Sequence, residues 1–315
     1  MSNSKNILYL ISLMLLMLTG CEADTSIAPF PNEGEEPVEV RLHATTVGAG
    51  VEVARANGET IPLPEGTQVG MTGGTYQNIA LNYDNSTTPN LSTANGSKIY
   101  YPLQTETMNI YAYAPYKEEA YNYEENTVLV RSEWQEGNLW SNYITDPIWA
   151  KTSVTKNQPT GTLTFAHAMS RLQIYLVHDQ GKAYTNMRIE IDVDRSQYGT
   201  MSLETRVITS ANPHDDTYKR YVDNQTLQSK ENTDRPQLDA TILPGTVLKK
   251  VRVYFEGFSV DGFEQEFTET NPFPAFVAGK INRIVINFGK IEEKASQVNV
   301  SLEDYEFENE DEIYI

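Results

Sequence analysis

The chain has 315 residues, with 43 acidic side chains against 24 basic ones and a formal net charge of −19 at pH 7. That balance repels nucleic acid and anionic lipid headgroups and so excludes them as partners. One cysteine permits no intramolecular disulfide, so the fold is held by core burial, which a chain of this length can supply.

Residues 1–20 read as a signal peptide. Lys5 is followed by the apolar run Ile7 to Leu18, broken only by Ser12. The run is too short to cross a bilayer, which takes about 20 residues, and has the length of a signal-peptide hydrophobic region. Leu18-Thr19-Gly20-Cys21 follows at once and resembles the bacterial lipobox, which would make Cys21 the acylated first residue of the mature chain. Residues 21–37 are polar, rich in Pro and acid and without period, as expected of a flexible tether.

Val38 to Arg55 opens the fold. Val38, Val40, Leu42 and Ala44 share one face, and Glu39, Arg41, His43 and Thr45 the other, the period of a strand with one buried side. Gly48 and Gly50 end the run, and Arg55 precedes the turn-like Ala56-Asn57-Gly58. Short strands then follow at Thr67 to Met71, Tyr76 to Tyr83, Lys98 to Leu103, Met108 to Pro115 and Thr127 to Arg131. The glycine-rich Gly70 to Gly74 precedes no helix and reads as a turn, and Tyr116 to Glu125 reads as one short helix or a loop.

Thr162 to Val177 reads as two strands joined at Met169-Ser170. Further strands are expected at Met187 to Val193, Thr200 to Val207, Leu238 to Leu243, Lys250 to Phe255, Phe263 to Phe267 and Ile281 to Phe288. Val298, Val300 and Leu302 alternate with polar residues before an acidic tail. Many short strands with almost no helix predict an all-β fold of sandwich type. A break near residues 152–161 divides it into sandwiches at 38–158 and 159–315.

No catalytic pattern emerges, and the chain is not expected to be an enzyme or to need a cofactor. His43, His167, His178 and His214 stand apart, with no metal-ligand spacing. His167 lies in an apolar strand and reads as a hydrogen-bonded core histidine. Trp134, Trp140 and Trp149 could stack on sugars, though core and cross-strand packing is the ordinary role of such rings.

Taken in order, the lipobox, the first strand with its following Arg, Lys98 to Pro115, Asp146 to Lys151, Leu163 to Leu176, Ile242 to Thr246 and Phe276 to Phe288 resemble the fimbrillin-like lipoproteins, subunits of type V pili. The resemblance implies two tandem transthyretin-like β-sandwiches and export to the outer membrane on a lipid at Cys21. It also implies an Arg- or Lys-specific protease that cuts the loop after the first strand, at Arg55 or alternatively Arg41, and frees Val38 to Val47. Other pilin subunits would be the partners, refilling the groove with a donor strand at Val298 to Phe307. The reading from a different class is a monomeric surface lipoprotein that binds glycans.

Overall fold

The computed structural model describes residues 36–47, 60–103, 105–133, 142–178, 182–184, 187–222, 225–227, 236–255, 263–288 and 297–304. Their regular structure is almost entirely β-strand, with one short 3-10 turn at Glu118–Ala120 inside the stretch read as a short helix or a loop. The strands are β1 (Arg41–Val47), β2 (Thr60–Ile61), β3 (Gln68–Gly73), β4 (Tyr76–Tyr83), β5 (Leu91–Thr93), β6 (Met108–Ala114), β7 (Tyr121–Asn122) and β8 (Thr127–Arg131). There follow β9 (Ile144–Thr145), β10 (Ile148–Val154), β11 (Thr160–His167), β12 (Ser170–His178), β13 (Lys182–Tyr184), β14 (Met187–Val193), β15 (Tyr198–Ser202) and β16 (Ile208–Ser210). The last are β17 (Asp216–Val222), β18 (Gln225–Leu227), β19 (Leu238–Ile242), β20 (Leu248–Phe255), β21 (Phe263–Glu266), β22 (Lys280–Phe288) and β23 (Gln297–Asp304).

The first sheet runs β11-β10-β6-β3-β4-β5-β1-β2, and β11 also pairs with β1. That extra pairing closes the sheet on itself, so the two ends of the path meet along β1. Alternation decides what lies inside. Met108, Ile110 and Ala112 of β6 and Ile148, Ala150 and Val154 of β10 join Val69, Met71, Leu81, Leu163 and Phe165 in one buried cluster. The opposite face of β6 and β10 carries Tyr113, Tyr111 and Trp149, and a smaller sheet of β7, β8, β9, β15 and β16 packs over it through Val128, Val130, Met201 and Leu203.

A second main cluster is built from later residues. Two four-stranded sheets, β19-β12-β22-β23 and β17-β14-β20-β21, enclose Leu172, Ile174, Leu176, Ile189, Ile191, Val251, Val253, Ile284 and Ile286. This is sandwich packing, with each strand's apolar residues turned inward. On the outside of the second sheet, Arg252 lies among Glu190, Asp192 and Glu264.

Some local expectations change. Lys98 to Leu103, expected as a strand, makes one isolated bridge, Tyr100 opposite Glu39. Residues 152–161, expected to link two sandwiches, form a hairpin. Thr152 to Val154 continue β10, Thr155 and Gln158 exchange backbone hydrogen bonds of 3.1 and 3.0 Å, and β11 begins at Thr160 within the first sheet. Gly70 to Gly73, expected to turn, are instead the second half of β3. Close packing explains the glycines. A Cβ at Gly70 would lie 2.3 Å from the Tyr113 ring, and one at Gly73 would lie 2.7 Å from the Asn109 carbonyl oxygen. The turn itself falls at Gly74, with φ +59°.

Candidate functional site

The first strand and the groove that holds it form the candidate site. On one side β1 runs parallel to β11 in unbroken register, from Arg41 opposite Thr160 to Thr46 opposite Phe165. The other side is a patchwork. The Val40 N–H donates to the Ile99 carbonyl at 2.8 Å, and the Tyr101 N–H donates to the Val38 carbonyl at 2.8 Å. Leu42 sits opposite Leu91 of β5, and Thr46 and Val47 sit opposite Ile61 and Thr60 of β2. Between these short pairings the Asn90 side chain takes the place of a strand at Ala44, and a 2.9 Å ion pair from Lys98 to Glu39 ties the entry of the strand from outside.

The inward face reads Val40, Leu42, Ala44 and Thr46, all buried, with Val38 partly buried at the start. These side chains join the core of the first sheet. Val40 and Leu42 alone contribute on the order of 3–6 kcal/mol of burial to seating the strand. Thr46 is the member that sequence reasoning passed over. It extends the same period of two, but its hydroxyl hides the apolar signal. Arg41, on the outer face, is exposed, yet its N–H donates to the Pro159 carbonyl at 2.9 Å and its backbone lies in the ladder with β11.

Cys21 and Arg55 lie outside the described residues, as do Trp134 and Trp140. The donor candidates Val298, Val300 and Leu302 lie in β23, opposite Ile286, Ile284 and Asn282 of β22, at the edge of its sheet. His167 is buried, with its Nδ1 3.1 Å from an Asp146 carboxylate oxygen. That contact ties the end of β11 to the turn between β9 and β10. Among the described residues no group of three or more His, Cys, Asp or Glu side chains is placed to hold a metal ion.

The class defined by this geometry is an all-β protein whose first strand completes a sheet built from residues 60–167. The chain belongs to the fimbrillin-like family, whose model matches residues 55–304. A search of curated proteins found no match. Among solved structures, a proposed cell adhesion protein of Bacteroides uniformis is 17% identical, over 88% of this chain and 100% of that one, with a TM-score of 0.51. Another from Bacteroides ovatus is 14% identical, over 86% of this chain and 99% of that one, with a TM-score of 0.59. A fimbrial protein of Bacteroides vulgatus is 11% identical over 86% and 100%, with a TM-score of 0.42. The first two likenesses establish the shared fold.

Proposed function

We propose that the protein is a structural subunit of a cell-surface fimbria that supports adhesion and is assembled by replacement of its first strand. It has no catalytic role. The precursor travels as an outer-membrane lipoprotein acylated at Cys21. A protease specific for Arg or Lys cuts after Arg55 and frees Val38 to Val47 together with the lipid. The alternative, Arg41, is disfavoured because a backbone paired in a ladder does not enter a protease cleft. The vacated groove then takes a strand from another subunit, Val298 to Phe307 being the donor in this chain. Strand addition joins the subunits by main-chain hydrogen bonds and alternate side-chain pockets, and repeated head to tail it makes an open filament.

One observation supports this reading above the others: β1 closes the first sheet, with a continuous ladder on β11 and only short pairings opposite. Removing it leaves an apolar slot bounded by a ready strand edge. The deciding experiment is limited trypsin digestion of lipid-free precursor. A cut after Arg55, loss of the N-terminal peptide and concentration-dependent polymer are expected. Resistance at Arg55, or a cut product that stays monomeric, overturns the proposal.

A further inference from the structure

A strand can enter the place of β1 in either direction, and the two directions meet different surroundings. On the unbroken side β1 runs parallel to β11. A parallel ladder is slightly weaker per residue than an antiparallel one, so a strand entering the other way round gains on this edge. The opposite edge does not resist reversal. It offers one rung on β5, two on β2 and the side-chain amide of Asn90. That amide carries its acceptor and its donors on one tip, and half a turn about the last bond exchanges them. It can therefore serve a backbone of either direction.

The two ends of the groove also differ. At Thr46 the inward position has no exposure, and β2 pairs beside it. At Val38 the inward position is only partly buried. Lys98 lies at that end, with its Nζ 2.9 Å from the Glu39 carboxylate, and the hydrogen bond to Glu39 holds the Lys98 amine above its ordinary pKa. Lys98 belongs to the body of the protein, whereas Glu39 belongs to the strand that leaves. Removal of β1 therefore takes this carboxylate away from Lys98.

The donor is polarised in the same sense. Ser296, Val298, Val300 and Leu302 form one alternating row, and Glu303, Asp304 and Glu306 follow. Laid parallel to β11, with Val298 at the place of Val40, the row puts Leu302 at the place of Ala44 and Asp304 at that of Thr46. A carboxylate would then occupy a position with no exposure, and an unpaired buried charge is costly. Laid the other way, with Leu302 at the place of Val40, the row gives Val300 for Leu42, Val298 for Ala44 and Ser296 for Thr46, one hydroxyl for another. The Ala44 place takes a valine instead of a leucine. Asp304 falls at the partly buried place of Val38, and Glu303 falls at that of Glu39, beside Lys98.

We propose that a second copy of this chain enters the groove reversed, antiparallel to β11, with Leu302 at the place of Val40 and Glu303 against Lys98. The inference rests on the strand replacement proposed above and adds its direction and register. Lys98 becomes the residue that reads the acidic end of the donor, so the groove selects a segment whose apolar row is followed at once by a carboxylate.

The test mixes two lipid-free forms of the full chain, a donor variant and an acceptor variant, before cutting after Arg55. Cys21 is the only native cysteine and leaves with the cut segment, so introduced cysteines are then the only thiols. In the reversed seat Gln297 takes the place of Thr45, opposite the exposed Thr164. In the parallel seat it takes the place of Glu39, which extends the register to the exposed Gln158. Donor Q297C with acceptor T164C is expected to give an intermolecular disulfide, mapped by mass spectrometry of the unreduced polymer, and with acceptor Q158C it is not. A disulfide to Q158C overturns the direction and leaves strand replacement standing. Polymer with neither disulfide overturns this seat alone. Absence of polymer in every mixture, native chains included, overturns strand replacement and this inference with it. A charge exchange checks Lys98, read after the N-terminal peptide has left. E303K in the Q297C donor is expected to lower the yield of the T164C disulfide about 2–5-fold at low salt, and K98E in the acceptor to restore it. A yield indifferent to both changes overturns the part given to Lys98.

Discussion

Asn90 occupies both main-chain positions of Ala44. The Ala44 N–H donates to Asn90 Oδ1 at 2.7 Å, and Asn90 Nδ2 donates to the Ala44 carbonyl at 3.0 Å. One side-chain amide thus stands in for a neighbouring strand where β5 and β2 leave a gap. A side chain can do this without committing a whole strand to the pairing, so the edge opposite β11 stays divided into short pieces. Replacing it with Ala leaves two partly buried backbone groups without a protein partner. N90A is expected to lower stability by about 1–3 kcal/mol, and to speed hydrogen exchange at the Ala44 amide more than at β22 amides. Urea unfolding and exchange by mass spectrometry or NMR check both, and equal exchange at the two places refutes the role of Asn90.

Leu42 tests the apolar half of the same seat. It is 2% exposed and packs into the core of the first sheet. L42A removes its buried side chain beyond Cβ and leaves a cavity, at a cost of about 2–5 kcal/mol. In uncut protein the effect appears as a lower Tm. In protein cut after Arg55, the shortened side chain should also speed release of the N-terminal peptide and so the onset of polymer. His43, on the other face of β1, is the control. H43A should leave both rates near wild type, and an equal acceleration by H43A argues against a one-sided seat.

Much of this architecture was legible from alternation alone. Thr127–Arg131 and Met187–Val193 are strands with the limits their pattern suggests, because each turns one apolar row inward, and Tyr76–Tyr83 keeps its limits although its alternation breaks at the buried Asn78. The period of two also places Val40, Leu42 and Ala44 inward on the first strand. What stayed hidden depends on partners distant in sequence. Asp216–Val222 is a strand, yet the residues in step with its buried Tyr218 are the half-buried Asp216 and the exposed Arg220, so no apolar row marks it. Asn90 looks like any loop asparagine until Ala44 is brought to it across 46 positions of chain. Nothing near Trp149 announces that Arg206 will lie over it. The glycines of β3 mislead for a related reason, since a missing side chain reads as a turn until the Tyr113 ring is seen to need the space.

That close approach gives a prediction for the packing between the first sheet and the smaller one. Tyr113 is wholly buried, and its hydroxyl donates to Asn78 Oδ1 at 2.7 Å. Its ring cannot swing away from a new methyl group at Gly70 without losing that bond. G70A is expected to destabilise by about 1–3 kcal/mol through overpacking. The double variant G70A/Y113L, which removes the ring edge that meets the methyl, should show a cost smaller than the sum of the two single changes. Additive losses in a double-mutant cycle of Tm or urea midpoints rule out direct contact as the cause.

Asp194 supplies a prediction with a pH signature. It follows β14, at the end of the second sandwich. Burial by itself pushes its carboxyl up, but hydrogen bonds from the Arg195 guanidinium, with Nη2 at 2.7 Å, and from the Val247 N–H at 2.8 Å outweigh that. The group ends below its ordinary value of 3.8. A carboxyl whose folded pKa lies below its unfolded one adds stability above the unfolded pKa, and that gain disappears as pH falls through the folded pKa. D194N should therefore be less stable than wild type at pH 7, and the gap should narrow as pH falls below 3.8. Urea midpoints of both proteins at pH 7, 5 and 3 measure it. Because the linkage acts only through this ionisation, a gap of constant size across that range means that the Arg195 and Val247 contacts do not depend on the carboxylate's charge.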